Sequence, residues 1–214
     1  MRVKNKTLAS VAVLALAGST VLAGAAAPAG NAATVPCGPD CRAPYAREWG
    51  GNLMGAVLNG IPRAGQPAVL YPIAPRRAED WRLLDEGTVA SLYKDGILGA
   101  AVGQTWPSSQ AYEYEYTPLG IPTSWCLGTA TTAGPGTPLT LQTCGSTSKT
   151  LWIPLLADLS GGYVPLINGS DTLTTAPYVM TGHGPGADLR TARLVKIAGT
   201  VAPTQMWRNA KGVL

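Results

Sequence analysis

The chain has 214 residues, of which 26 are Gly and 18 are Pro, while charged residues make up only 13%, about half the usual share. Its formal charge is +4, but residues 1–33 hold three of the 16 basic residues and none of the 12 acidic ones, which leaves 13 against 12, or +1, for the remainder. That balance excludes the clustered Lys and Arg of a nucleic-acid footprint, and the density of Gly and Pro excludes an architecture of long helices.

Residues 1–33 read as a secretory signal peptide. Arg2, Lys4 and Lys6 supply the positive start, an apolar run follows from Leu8 to Leu22, and small residues lead to a cleavage point near Ala33. A retained membrane anchor fits less well, because the run is short for a span of about 20 residues and is interrupted by Ser and Thr. About 180 residues remain, enough for one domain with a core. An N-terminal extension over residues 34–51 carries Cys37 and Cys41 around a Gly-Pro-Asp loop. Four cysteines in an exported chain predict two disulfides. Cys37 with Cys41 and Cys126 with Cys144 are favoured, since each pair is close in sequence and separated by turn formers. Zinc is the alternative, but no His lies near a cysteine and the chain's one His is His183. No metal or cofactor is therefore expected.

Residues 52–92 offer Leu53 and Met54, an alternating strand over 68–71, the triplet Glu79-Asp80-Trp81 and a closing Asp85-Glu86-Gly87-Thr88-Val89. Residues 76–86 and 187–198 escape Gly and Pro and compete as short helices. In Tyr112-Glu113-Tyr114-Glu115-Tyr116 the alternation puts three tyrosines on one strand face and two carboxylates on the other. Two accounts fit: an edge hairpin with packed tyrosines and wet glutamates, or exposed tyrosines that grip a ligand. Residues 124–154 give strands over 125–127 and 139–143 joined by a Gly/Pro-rich turn, with Cys126 and Cys144 at their ends and Trp152 after a tight turn. Asn168-Gly169-Ser170 is a glycosylation sequon, and equally an Asn-Gly turn, the safer reading. From residue 178 onward come Val179 and Met180, a strand over 193–197 and Gln205-Met206-Trp207.

Met54 to Trp81 spans 27 residues, Cys126 to Trp152 spans 26 and Met180 to Trp207 spans 27. Cys-Leu, an alternating strand ending in Cys, and Trp after a short polar loop resemble the repeat of ricin-type β-trefoil lectins, and Gln205-Met206-Trp207 matches that family's Gln-x-Trp triplet. The resemblance implies an all-β trefoil of three repeats over residues 52–214. The tryptophans lie 71 and then 55 residues apart, so an insertion of roughly fifteen residues is expected between repeats one and two, placed at residues 103–120. In such a fold Trp81, Trp152 and Trp207 share one core, each burying about 150–250 Å² and bonding a backbone carbonyl. Three unrelated core tryptophans of another sandwich or barrel are the competing account.

Lectins of that family grip a sugar with a carboxylate just after Cys-Leu, an aromatic ring on the next strand and an Asn beside Gln-x-Trp. Here the carboxylate position reads Gly55, Gly128 and Thr181, and the Asn position reads Ala78, Lys149 and Thr204. Tyr71, Glu79 and Gln205 are what the resemblance leaves for a carbohydrate site, with packing the competing role for Tyr71 and Glu79. No nucleophile partner is identifiable for His183, and no Gly-x-Ser-x-Gly, His-Glu-x-x-His or phosphate loop occurs. The expectation is a secreted, monomeric, non-catalytic module that binds a carbohydrate or polysaccharide. The alternative is a trefoil scaffold without sugar binding that engages a secreted protein partner.

Overall fold

A computed structural model describes residues 41–49, 53–57, 61–72 and 81–211, all within the compact unit Thr34–Leu214. The expected signal peptide, Cys37, Ala78 and Glu79 lie outside the described residues. Repeat one comprises β1 (Cys41–Ala46), β2 (Leu53–Val57), β3 (Ala68–Pro72) and β4 (Trp81–Thr88). Helices α1 (Val89–Lys94) and α2 (Ala100–Thr105) follow. Repeat two comprises β5 (Gln110–Tyr116), β6 (Trp125–Thr129), β7 (Leu139–Thr143) and β8 (Trp152–Pro154). Repeat three comprises β9 (Leu166–Asn168), β10 (Tyr178–Thr181), β11 (Arg190–Arg193) and β14 (Trp207–Lys211), with a small ribbon of β12 (Lys196–Ile197) and β13 (Thr200–Val201) inserted before the last strand.

The first and fourth strands of the repeats form a six-stranded barrel. β4 pairs with β1 and β5, β8 with β5 and β9, and β14 with β1. A reciprocal backbone pair between Val164 and Trp207 closes the ring. The hairpins β2–β3, β6–β7 and β10–β11 form the cap. They interlock in a triangle: Gly65 N donates to Leu141 O, Gly136 N to Thr191 O, and Gly186 N to Leu70 O, at 2.8, 2.9 and 2.7 Å. The three glycines have φ of 77°, 68° and 76°, backbone that a Cβ disfavours. Each repeat thus closes the next.

Every core tryptophan is fully buried, and each indole N–H donates at 2.9 Å to a carbonyl of its own hairpin: Trp81 to Gly55, Trp152 to Leu127 and Trp207 to Met180. Tyr45, Tyr114, Leu70, Leu127, Leu141, Leu139, Leu166 and Leu189 fill the same core. A second apolar cluster lies between the helices and the barrel wall, where Val89, Leu92 and Val102 meet Leu151, Ile153, Ile167 and Val179. The helices cross closely because a Cβ at Gly103 would fall 2.3 Å from the Tyr93 ring.

Several expectations change. The barrel begins by Cys41, so β1 belongs to the trefoil and not to an extension ending at residue 51. The insertion between repeats one and two is present, but it is the helical segment 89–109. Residues 110–116 are the first strand of repeat two, paired with β4 across seven positions. Residues 81–86 of the expected helix are strand, since that long-range pairing and the burial of Trp81 override local propensity. Residues 187–198 are not helical either. Ala187 and Leu189 are pinned in the cap by bonds to Leu70 and Ala68, and the repeat-three strand is Arg190–Arg193, not residues 193–197.

Candidate functional site

The three repeats can be superposed through the indole bonds, which set Gly55, Leu127 and Met180 in equivalent places. The lectin carboxylate position, one residue later, then falls on Ala56, Gly128 and Thr181, so repeat one shifts by a residue from Gly55. All three positions are closed. Ala56 is fully buried. A Cβ at Gly128 would meet the Lys149 carbonyl at 2.8 Å, a contact that real side chains do not make, and would crowd Thr150 Cγ2 at 3.0 Å. Thr181 is buried, donates to Val179 O at 3.1 Å and accepts from Gln205 Nε2 at 3.3 Å. The carboxylate is therefore absent, and the fold has no room for one.

Gln205 is 2% exposed. Its Oε1 accepts from Val195 N at 2.8 Å and its Nε2 donates to Arg193 O at 2.7 Å, tying the end of β11 to the turn before Trp207. Its amide is spent on the scaffold, which corrects its placement among sugar contacts. Tyr71 lies on β3 opposite Met54 and is 38% exposed, so its ring is open to a ligand. His183 is exposed in the loop after β10.

Neither account of the tyrosine and glutamate alternation describes β5. Both of its faces are covered: Tyr114 and Tyr116 are buried in the core, and Glu113 and Glu115 are 1% and 3% exposed. Glu113 reaches the loop after β7, where Oε1 accepts from Ser146 N at 2.8 Å and Thr150 Oγ1 at 2.5 Å, and Oε2 from Gly145 N at 3.2 Å. Burial pushes the Glu113 carboxyl above its usual range, the bonds from Thr150, Gly145 and Ser146 pull it back, and nearby Glu86 pushes it up again. Glu86 in turn accepts from Ser146 Oγ. Glu115 accepts from Ser124 N at 2.8 Å and pairs with Arg82 at 2.5 Å. These carboxylates fasten β5 to the loops around it.

Cys126 and Cys144 form the expected disulfide, with an S–S distance of 2.09 Å. Cys41 is also disulfide-bonded. Among the described residues the cluster with metal-ligand chemistry is Glu113 with Cys126 and Cys144, and both sulfurs are committed to the disulfide. The sequon is closed as well. Asn168 is fully buried, and its Nδ2 donates to Lys149 O at 3.0 Å while its Oδ1 accepts from Ser170. The Asn-Gly turn is what the chain builds there.

A second surface was missed in the sequence. After β8 a single helical turn, Leu156–Asp158, and the β12–β13 ribbon enclose a cleft of about 190 Å³, with Met206 beneath. Lys196 Nζ pairs with Asp158 Oδ1 at 2.5 Å across it. Beside it the Tyr163 ring carries the guanidiniums of Arg208 and Arg47, centred 5.1 and 5.9 Å from its centroid. Leu156, Leu159, Val195 and Ile197 are exposed in the same two segments.

No protein-family model matches the sequence, and no curated protein does. Among solved structures the chain is similar to the designed three-fold symmetric protein ThreeFoil, with a TM-score of 0.56 and 15% identity over 80% of this chain and 99% of that one. It is also similar to part of a mosquitocidal holotoxin, with a TM-score of 0.53 and 13% identity over 79% of this chain. The match spans only 17% of the toxin's length. These likenesses establish the fold as a β-trefoil.

Proposed function

We propose that the chain is an exported, non-catalytic carbohydrate-binding module of ricin-like trefoil descent whose sugar contacts have left the family's carboxylate positions. The observation that carries this is the combination of an intact three-fold tryptophan frame with closure at Ala56, Gly128 and Thr181. The frame is kept while the usual grip is gone, so any sugar must be met elsewhere, by Tyr71 or by the cleft of repeat three. Export is supported by the signal-like start and by cysteines held in disulfides. Binding to an array of neutral and acidic polysaccharides tests the reading, and retention of none would overturn it.

A protein-interaction scaffold is the second reading. Leu156, Leu159, Val195 and Ile197, each 47% to 66% exposed, favour it, because clustered exposed apolar side chains mark protein contacts. Recovery of a secreted partner that is lost on Ile197→Asp would support that reading.

A further inference from the structure

We infer that the cleft of repeat three and the arginine pair beside it form one binding site for an acidic polysaccharide, with the cleft taking a single sugar unit and the guanidiniums taking its carboxylate. This rests on the carbohydrate reading above and gives it a place and a charge. At about 190 Å³ the cleft falls below the range of about 300–1,000 Å³ that holds a drug-sized ligand, and suits one ring of a longer chain. Its walls present the chemistry that hydroxyls require. Ser160 and Thr200 each offer a hydroxyl that both donates and accepts. Asp158 spends one oxygen on Lys196, and among the described residues no side chain bonds the other. Met206 and Val201, both nearly fully buried, close its floor.

The arginines are tied to this cleft by the backbone. Ser160 and Tyr163 exchange backbone hydrogen bonds at 2.9 and 3.1 Å, and Arg47 N donates to Met206 O at 3.0 Å. Met206 and Arg208 flank the buried Trp207, so they lie on the same side of the strand. Neither Arg47 nor Arg208 has a carboxylate partner among the described residues, and the face of Tyr163 attracts both guanidiniums and biases them toward this side of the cleft. A planar guanidinium matches a carboxylate through two parallel hydrogen bonds. The sugar unit is therefore a uronate and not a neutral hexose.

The experiment compares retention of the full chain on polygalacturonate and on its methyl-esterified form, for wild type, Arg208→Ala, Arg47→Ala, Asp158→Asn, Tyr71→Ala and, as a charge control, Arg63→Ala on the exposed β2–β3 loop. Near-ultraviolet circular dichroism checks that each variant is folded. Expected are preference for the free acid, weakening with salt, and a loss of at least about tenfold in Arg208→Ala, the cost of a charge-assisted contact, with Arg63→Ala unchanged. Asp158→Asn should steepen the salt dependence, since it leaves Lys196 unpaired beside the bound polyanion. Equal binding of the ester, or loss only in Tyr71→Ala, would overturn the site while leaving the carbohydrate reading in place. Retention of neither polymer, nor of any other on the array, removes both.

Discussion

Glu113 shows how a single carboxylate can be structural and still leave a trace in solution. Its pKa is raised in the folded chain, chiefly by burial, so the folded state holds the proton more tightly than the unfolded one. The stability from that proton is full below the ordinary Glu value of about 4.3 and is lost as pH rises through the raised value. Asp171, buried and holding Leu173 N and Tyr178 N, is shifted in the same direction. Urea unfolding across this range should show stability falling with pH, and Glu113→Gln should flatten the fall; equal slopes in the two proteins would refute the assignment. Gly128→Asp puts a carboxylate where ricin-type lectins carry theirs, in name only. Overpacking against Lys149 O and Thr150 should lower stability by about 1–3 kcal/mol, with no galactose binding gained on a glycan array. The absence of a carboxylate there was legible in the sequence. Its cause was not, because the crowding carbonyl comes from a turn some twenty residues away.

At the scale of elements, β5 was half legible. The five-residue alternation declared a strand, yet its carboxylates suggested water, and only the loop N–H groups that meet Glu113 and Glu115, with Arg82, explain why they are buried. β1 was hidden by Pro44, since a proline argues against a paired strand. Repeat three was masked by two departures that cancel. Its hairpin loop is short, with Gly186 only six residues past Met180, and the β12–β13 ribbon lengthens the path from Gly186 to Trp207 to 21 residues, against 16 from Gly65 to Trp81 and from Gly136 to Trp152. The recurring Gly-x-Pro-Ala, Gly-x-Pro-Leu and Gly-x-Asp-Leu at residues 65, 136 and 186 would have fixed the register. Two elements offer direct tests. Replacing both Cys126 and Cys144 with Ala opens a loop of sequence separation 18 and should cost about 2–4 kcal/mol in a denaturant titration. Leu92→Ala should cost about 2–5 kcal/mol, while the near-ultraviolet signal of the tryptophan core persists, because Leu92 packs in the separate cluster on the barrel wall.

Across the whole molecule, the three tryptophans act as one device, and their intervals were the clearest signal in the sequence. Trp152→Phe removes the bond to Leu127 O and leaves a buried carbonyl unpaired, for which about 1–3 kcal/mol is the expected loss; equal losses for Trp81→Phe and Trp207→Phe in parallel thermal melts would confirm the three-fold equivalence. The seam where β1 meets β14 carries a different consequence. Arg42 through Ala46 align with Lys211 through Trp207, so the first of the described strands finds its longest partner in the last of them. Pairing at such separation is slow to form, and until Trp207 is delivered the ring stays open. A ring that cannot close before β14 arrives stays threadable through most of its synthesis, the property that the export proposed above would need.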